Sequence, residues 1–198
     1  MTYFIFQPYW FGSENLFIIF SVLFFLWIIG EIFNNIQSVK NPKGNRNDRG
    51  SYWIIVLGIF ISLAFSFIFK GMPFGNFISW VQVIGVFMMV GGIILREWSV
   101  ITLGKGFTVI VNSQKNGTLI KKGPYHILRH PSYTGTLIIM MGIPLALGTW
   151  ISFIFSSVIT LATHIYRIHV EEKALIEAYG KDYKNYSDKT WKLIPGIY

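Results

Sequence analysis

Four polar side chains share one face of the last long apolar run. Thr160, His164, Arg167 and Glu171 fall at i, i+4, i+7 and i+11, a spacing that stacks them along one helical stripe. A guanidinium binds anions through a planar fork of donors, and imidazole and carboxylate groups accept or relay protons. A second cluster, "GPYHILRHPSYTG" from Gly123 to Gly135, gathers Tyr125, His126, Arg129, His130 and Tyr133 directly before another apolar segment. Pro131 interrupts any regular helix there. Each cluster alone has a plainer explanation. Arg167 can snorkel to the interface beside a carboxylate one turn away, and "RHP" can anchor headgroups ahead of a span. A polar cavity open to both cytosol and bilayer accounts for the two together.

Other chemistries find less support. His126 and His130 are four apart, as in helical zinc sites, but Pro131 favours an extended backbone at His130. The chain has no cysteine and no HExxH pattern, so no metal site is expected. "GKG" at Gly104 to Gly106 lacks the context of a phosphate-binding loop. Gly85, Gly91, Gly92, Gly135 and Gly142 read as close-packing sites between helices. Glu31 and Gln82 lie in or near apolar runs, where interhelical hydrogen bonds are the default and contact with the cavity is the alternative.

The elements that position these groups are hydrophobic spans. The 198 residues are 53% hydrophobic, 18% aromatic and only 13% charged, against about 25% charged in soluble domains. An all-α integral membrane protein follows, with about five transmembrane helices and a cytoplasmic C-terminal cap. The runs are Asn15 to Ile36, Tyr52 to Phe69, Phe77 to Leu95, Tyr133 to Leu147, and Trp150 to about Ile168; all but the short fourth are close to the ~20 residues a bilayer requires. Gly148 and Thr149 make the last two a tight helical hairpin, and Pro144 kinks or tilts the fourth. The formal charge of +8 is carried by short loops, which suits membrane orientation and anionic headgroups rather than nucleic acid. The loops Ser38 to Ser51 and Arg96 to Ser132 are basic, placing them and the C-terminal tail in the cytoplasm and the N-terminus outside. No cleavable signal peptide is expected, because a basic n-region and a small-residue cleavage site are missing. The aromatic start "YFIFQPYWFG" suits the outer interface. Thr102 to Ile120 has β-branched runs around an Asn-Gly turn signal, predicting a small hairpin-like cap. Glu171 onward continues the fifth helix to a C-cap at Gly180, followed by a short amphipathic piece with Tyr183 and Tyr186. The chain divides into residues 1–100, three transmembrane helices, and residues 101–198, the loop, hairpin and tail, within one compact unit.

"GPYHILRHPSYTG", a helical hairpin, and then "RIHVEEKALIEAYGKDYKNYSDKTWKLIP" closely resemble the isoprenylcysteine carboxyl methyltransferase family, part of a wider group of membrane methyltransferases that includes phospholipid methyltransferases. The resemblance covers about Leu103 to Pro195. It implies S-adenosylmethionine as methyl donor and a lipophilic or lipidated acceptor from the bilayer. The implied cofactor contacts are Gly117, Thr118, Leu119, Ile120, Tyr125, His130, Pro131, Ser132, Tyr133 and Glu171, with Glu172 beside them in a less defined role. Arg167 matches the arginine near the methyl acceptor, and Arg167 and Glu171 are the implied catalytic pair. Gly117 departs from members that carry histidine there and can contribute only backbone. On this reading the protein is a multi-pass cell-membrane enzyme whose active site faces the cytoplasm. It methylates a carboxylate, which is already ionised and needs no general base.

Alternatives stay open at this level. One is N- or O-methylation of a phospholipid amine or phenolic lipid, with His164 or Glu171 as base. Another is a nicotinamide-dependent reductase of the same fold group. A third is a non-catalytic scaffold or small transporter, although the chain lacks the inverted repeats and mid-bilayer charges that favour transport.

Overall fold

A computed structural model of the chain describes residues 13–40, 45–46, 50–70, 79–104, 112–113 and 119–198. The aromatic N-terminal stretch and two of the implied cofactor contacts, Gly117 and Thr118, lie outside them. Among the described residues six α-helices follow in order: α1 (Glu14–Lys40), α2 (Ser51–Ile68), α3 (Ser79–Leu103), α4 (Pro131–Ala146), α5 (Trp150–Tyr179) and α6 (Lys181–Ser187). Two-residue strands β1 (Asn45–Arg46) and β2 (Asn112–Ser113) pair antiparallel. The protein is an all-α integral membrane protein. Helices α1, α2, α3 and α5 are long and apolar enough to cross a bilayer.

The side chains are arranged as lipid demands. On α2 the buried positions are Ser51, Gly58, Ser62 and Ser66, whereas Trp53, Leu57, Phe60 and Ile68 point outward. In water this polarity would be reversed. In a bilayer, close approach of small residues drives helix association and large apolar side chains face the acyl chains. The buried face of α2 meets α5, with Gly58 against Thr163 and the Ser152 hydroxyl donating to the Phe65 carbonyl at 3.5 Å.

Helix α4 sits at the centre. Thirteen of its sixteen residues are buried, so little of it meets lipid. At 1.5 Å per residue it is about 24 Å long, shorter than a ~30 Å hydrocarbon core. Two glycine pairs seat it on α3. A Cβ on Gly85 would fall 2.7 Å from the Gly142 carbonyl, and one on Gly92 would fall 2.8 Å from the Gly135 carbonyl. The pairs recur two turns apart and in opposite order, so α3 and α4 run antiparallel, backbone against backbone. Gly91 has nothing within 4 Å of its notional Cβ and takes no part. Phe20 and Trp27 of α1, Val86 and Met89 of α3, and Ile139, Met140 and Ile143 of α4 form the core beside this seam.

Pro144 lies inside α4, which runs on to Ala146, and a neighbouring helix compensates for its missing N–H. Proline has no N–H, so the Met140 carbonyl loses its helical partner. The Ser156 hydroxyl of α5 donates to that carbonyl at 2.8 Å in a buried position, the kind of repair by a neighbouring helix that membranes require. The hairpin turn follows at Gly148, φ 81°, and the Thr149 side chain caps α5 by accepting from the Ser152 N–H. Helix α5 ends at Gly180, whose N–H donates to the Ile176 carbonyl at 2.8 Å.

Two expectations require correction. Helix α3 does not stop at Leu95, because no breaker occurs before Gly104, which has φ 52°. Arg96 and Thr102 are therefore helical rather than part of a basic loop and a hairpin. The strand at Asn112–Ser113 pairs with Asn45–Arg46 of the other basic loop, so β-structure links the two loops.

Gly135→Val should overpack the α3–α4 seam, where a Cβ already falls 2.8 Å from the Arg96 amide nitrogen. Overpacking costs about 1–3 kcal/mol and should lower the unfolding temperature in detergent. Gly91→Ala should leave that temperature unchanged.

Candidate active site

The "RHP" corner is built from both sides. Gly123–His126 form a 3₁₀ turn, and Pro131 occupies the first helical position of α4, where its missing N–H costs nothing. The chain's tail then locks the corner. Arg129 N–H donates to the Trp191 carbonyl at 2.7 Å, Trp191 N–H to the Ile127 carbonyl at 3.0 Å, and His130 N–H to the Lys192 carbonyl at 3.2 Å. The Thr134 hydroxyl donates to the Leu193 carbonyl at 2.8 Å, and Leu193 is fully buried. Arg129 donates to Glu172 at 2.8 Å and to the carbonyls of Ser187 and Thr190. Tyr186 is buried, and its hydroxyl donates to the Tyr125 carbonyl at 2.7 Å.

Within this frame the two polar clusters meet. Thr160, His164 and Arg167 are buried, so the α5 stripe faces the protein. The Tyr133 hydroxyl accepts from Arg167 Nε at 3.1 Å and donates to Glu171 Oε2 at 2.7 Å. Arg167 also donates to the Ser51 hydroxyl of α2 at 2.6 Å. The His130 ring stacks on Tyr133, 5.6 Å between centroids and 13° between planes. It lies between the paired acids, with Nδ1 3.9 Å from Glu171 and Nε2 3.5 Å from Glu172. Although 3.5 Å is short enough, the His130 Nε2 geometry is not that of a formed hydrogen bond, and among the described residues this buried atom has no aligned partner. Lys192 adds a contact of 3.2 Å to Glu172. Tyr125 is buried close by; burial, and then the charge of Glu171, push its phenol well above the ordinary value, so it stays neutral.

A cavity of about 210 Å³ opens on the other side of Tyr133. Its lining is apolar at Trp27, Ile59 and Leu63 and polar at Arg96, Ser132, Tyr133, His164 and Arg167. Tyr133 and Arg167 thus form a wall shared by an apolar chamber and the histidine–carboxylate corner. His126 is exposed while His130 is buried, so the two histidines do not converge. Leu119 and Ile120 are half-buried.

Sequence reading missed Arg96. It pairs with Glu31 through two donors and donates to the hydroxyls of Ser132 at 2.8 Å and Thr136 at 2.9 Å. This network ties α1, α3 and α4 at the chamber's edge. Glu31 also accepts from the Trp27 indole at 3.0 Å, and Glu97 accepts from Asn34 at 3.1 Å. The signal available was one acid and one base, each at the end of an apolar run, where an unpaired charge is costly.

The model of the phospholipid methyltransferase family matches residues 80–182. The chain belongs to the phospholipid methyltransferase family. Over 120 residues it is 33% identical to protein-S-isoprenylcysteine O-methyltransferase B of Arabidopsis thaliana, covering 60% of this chain and 61% of that one. Over 117 residues it is 35% identical to the protein-S-isoprenylcysteine O-methyltransferase of Dictyostelium discoideum, covering 58% and 49%. A solved structure of a eukaryotic intramembrane Ras methyltransferase, isoprenylcysteine carboxyl methyltransferase, is similar with a TM-score of 0.62 and 26% identity. That match covers 72% of this chain and 52% of that one. This family member therefore matches only about half to three-fifths of these relatives' lengths. The kinship with isoprenylcysteine carboxyl methyltransferases read from the "RHPSY" and "RIHVEEK" segments is borne out.

Arg129→Ala should free the tail, since each hydrogen bond to a charged group is worth about 1.5–3 kcal/mol. Limited trypsin digestion should then cut after Lys192 in the variant, while the same bond resists in the parent protein.

Proposed function

We propose that this chain is an S-adenosylmethionine-dependent membrane methyltransferase that O-methylates the carboxylate of a lipophilic, prenylcysteine-like acceptor. The observation that carries this reading is the shared wall. Arg167 lines an apolar chamber, and the tyrosine it contacts also contacts Glu171. A donor from water and an acceptor from lipid would meet at the edge of Tyr133, beside its hydroxyl.

The residues of the corner suit the cofactor. Glu171 and Glu172 are acceptors for ribose hydroxyls or an amino group, and His130 Nε2 is a buried polar atom in want of a partner. The stacked His130 and Tyr133 rings offer π-faces to a cation. When bound, S-adenosylmethionine supplies a sulfonium-borne methyl group that is displaced in line, its C–S bond breaking as the new C–O bond forms. The chain's own task is positioning and exclusion of water. Arg167 holds the acceptor carboxylate against Tyr133. Tyr133 fixes the guanidinium, and the tail-locked corner fixes His130 and Glu171. No residue has to take a proton from an ionised carboxylate.

The orientation of the basic loops supports an active site at the cytoplasmic face of a multi-pass cell-membrane protein, with α4, short and buried among its neighbours, as a fifth crossing. The cap and the two halves, residues 1–100 and 101–198, work as one unit on this reading, because Arg96 of α3 anchors α4. A second reading is N-methylation of a phospholipid amine. It is favoured by the family's description and by His164 in the chamber, which would remove the amine's proton.

Purified protein in lipid nanodiscs should bind S-adenosylhomocysteine by calorimetry. It should transfer labelled methyl to a prenylcysteine carboxylate as a base-labile ester. Arg167→Ala should lower transfer by about 10²-fold, the cost of a misplaced reactant, while binding S-adenosylhomocysteine within about threefold of the parent. Label found instead in base-stable phospholipid amines would favour the second reading.

A further inference from the structure

Most acceptors of the chamber's polar lining are already engaged; Asn34, whose Nδ2 donates to Glu97, keeps its amide oxygen, and His164 offers an acceptor on the same helix as Arg167. Arg96 occupies both oxygens of Glu31 together with the Ser132 and Thr136 hydroxyls. Arg167 occupies the Tyr133 hydroxyl, and the Tyr52 hydroxyl occupies Asn35 Oδ1. His164 differs. It is 1% exposed, and its Nδ1 lies 2.8 Å from the Thr160 carbonyl. A carbonyl can only accept, so the proton of the neutral ring sits on Nδ1 and the lone pair on Nε2. Among the described residues Nε2 has no hydrogen-bond partner, and the ring lines the chamber, edge-on to Tyr133 at 5.4 Å. Arg167 follows three residues later on the same helix, which puts the two side chains about 5–6 Å apart at Cβ.

We infer that His164 is a specificity-determining residue whose Nε2 accepts a hydrogen bond from an N–H of the acceptor headgroup, next to the carboxylate held at Arg167. The inference rests on the carboxyl-methylation reading and narrows it. The favoured acceptor is an N-acylated amino acid with a lipid chain, whose amide N–H stands one carbon from its carboxylate. A carboxylate with the same lipid chain and no amide would leave Nε2 unpaired in a buried chamber, and a site built to bond such a group discriminates against the analogue that lacks it. His164 takes no proton and forms no covalent bond.

The test uses two acceptors with one prenyl chain, N-acetyl-S-farnesylcysteine and S-farnesylthiopropionic acid, which differ by the acetamido group. Steady-state methylation is measured for the full chain in nanodiscs, for His164→Phe and for His164→Gln. The parent should show a KM about tenfold lower for the amide, the worth of one hydrogen bond of ordinary strength. His164→Phe should raise the amide's KM about tenfold and the other's by less than about twofold, with kcat little changed. His164→Gln, whose amide oxygen accepts at similar reach, should recover part of the preference. Equal KM values for the two acceptors in the parent would overturn the inference and leave the methyltransferase reading standing. Equal losses for both acceptors in His164→Phe would also overturn it, marking the ring as packing. Methylation of neither acceptor by the parent would sink the carboxylate reading and the inference with it. If His164→Phe fails to fold, as judged by S-adenosylhomocysteine binding, the parent's ratio and His164→Gln decide.

Discussion

One hydroxyl group connects the two halves of the site. Tyr133, in the first turn of α4, accepts from Arg167 and donates to Glu171, two residues one turn apart on α5. A phenol can do both at once only if its ring is held still, and most of the remaining structure serves that condition. The His130 ring stacks on one face of Tyr133 and the His164 edge meets it from the chamber side. Because hydrogen bonds strengthen where water is excluded, this bridge orients the guanidinium firmly.

The bridge depends on where α4 sits, and α4 is held by backbone contacts rather than by large side chains. The pairs Gly85–Gly142 and Gly92–Gly135 fix its height and distance against α3, and Arg96 fixes its first turn through Ser132 and Thr136. At the other end Ser156 satisfies the carbonyl that Pro144 strands. In lipid, where apolar side chains gain little by choosing protein over acyl chains, close packing and buried polar contacts are the forces available. Outward-facing Phe60 and Trp53 contribute solubility in the bilayer instead.

Much of this was legible in the chain, because the relevant signals are local. The α5 stripe follows from helical period, the hairpin from Gly148 and Thr149, and the α5 terminus from Gly180. Four of the five glycines singled out for packing lie at the α3–α4 seam, and Gly91 does not. What the chain could not disclose is pairing over distance. Arg96 and Glu31 are 65 positions apart, and Arg96 looks like one more loop cation until α3 is seen to continue to Leu103. The tail's grip on the "RHP" corner joins residues about 60 apart through main-chain bonds, which leave no mark on side-chain pattern. Ser51, a contact of Arg167, looks like an ordinary helix start.

The most direct test of this arrangement is a structure of the protein with S-adenosylhomocysteine and an S-farnesylcysteine analogue bound together. The nucleoside should lie on the His130–Glu171 side of Tyr133, the farnesyl chain along Trp27, Ile59 and Leu63, and the carboxylate at Arg167. A nucleoside lying inside the Trp27-lined chamber, or a farnesyl chain running past His130, would contradict this arrangement.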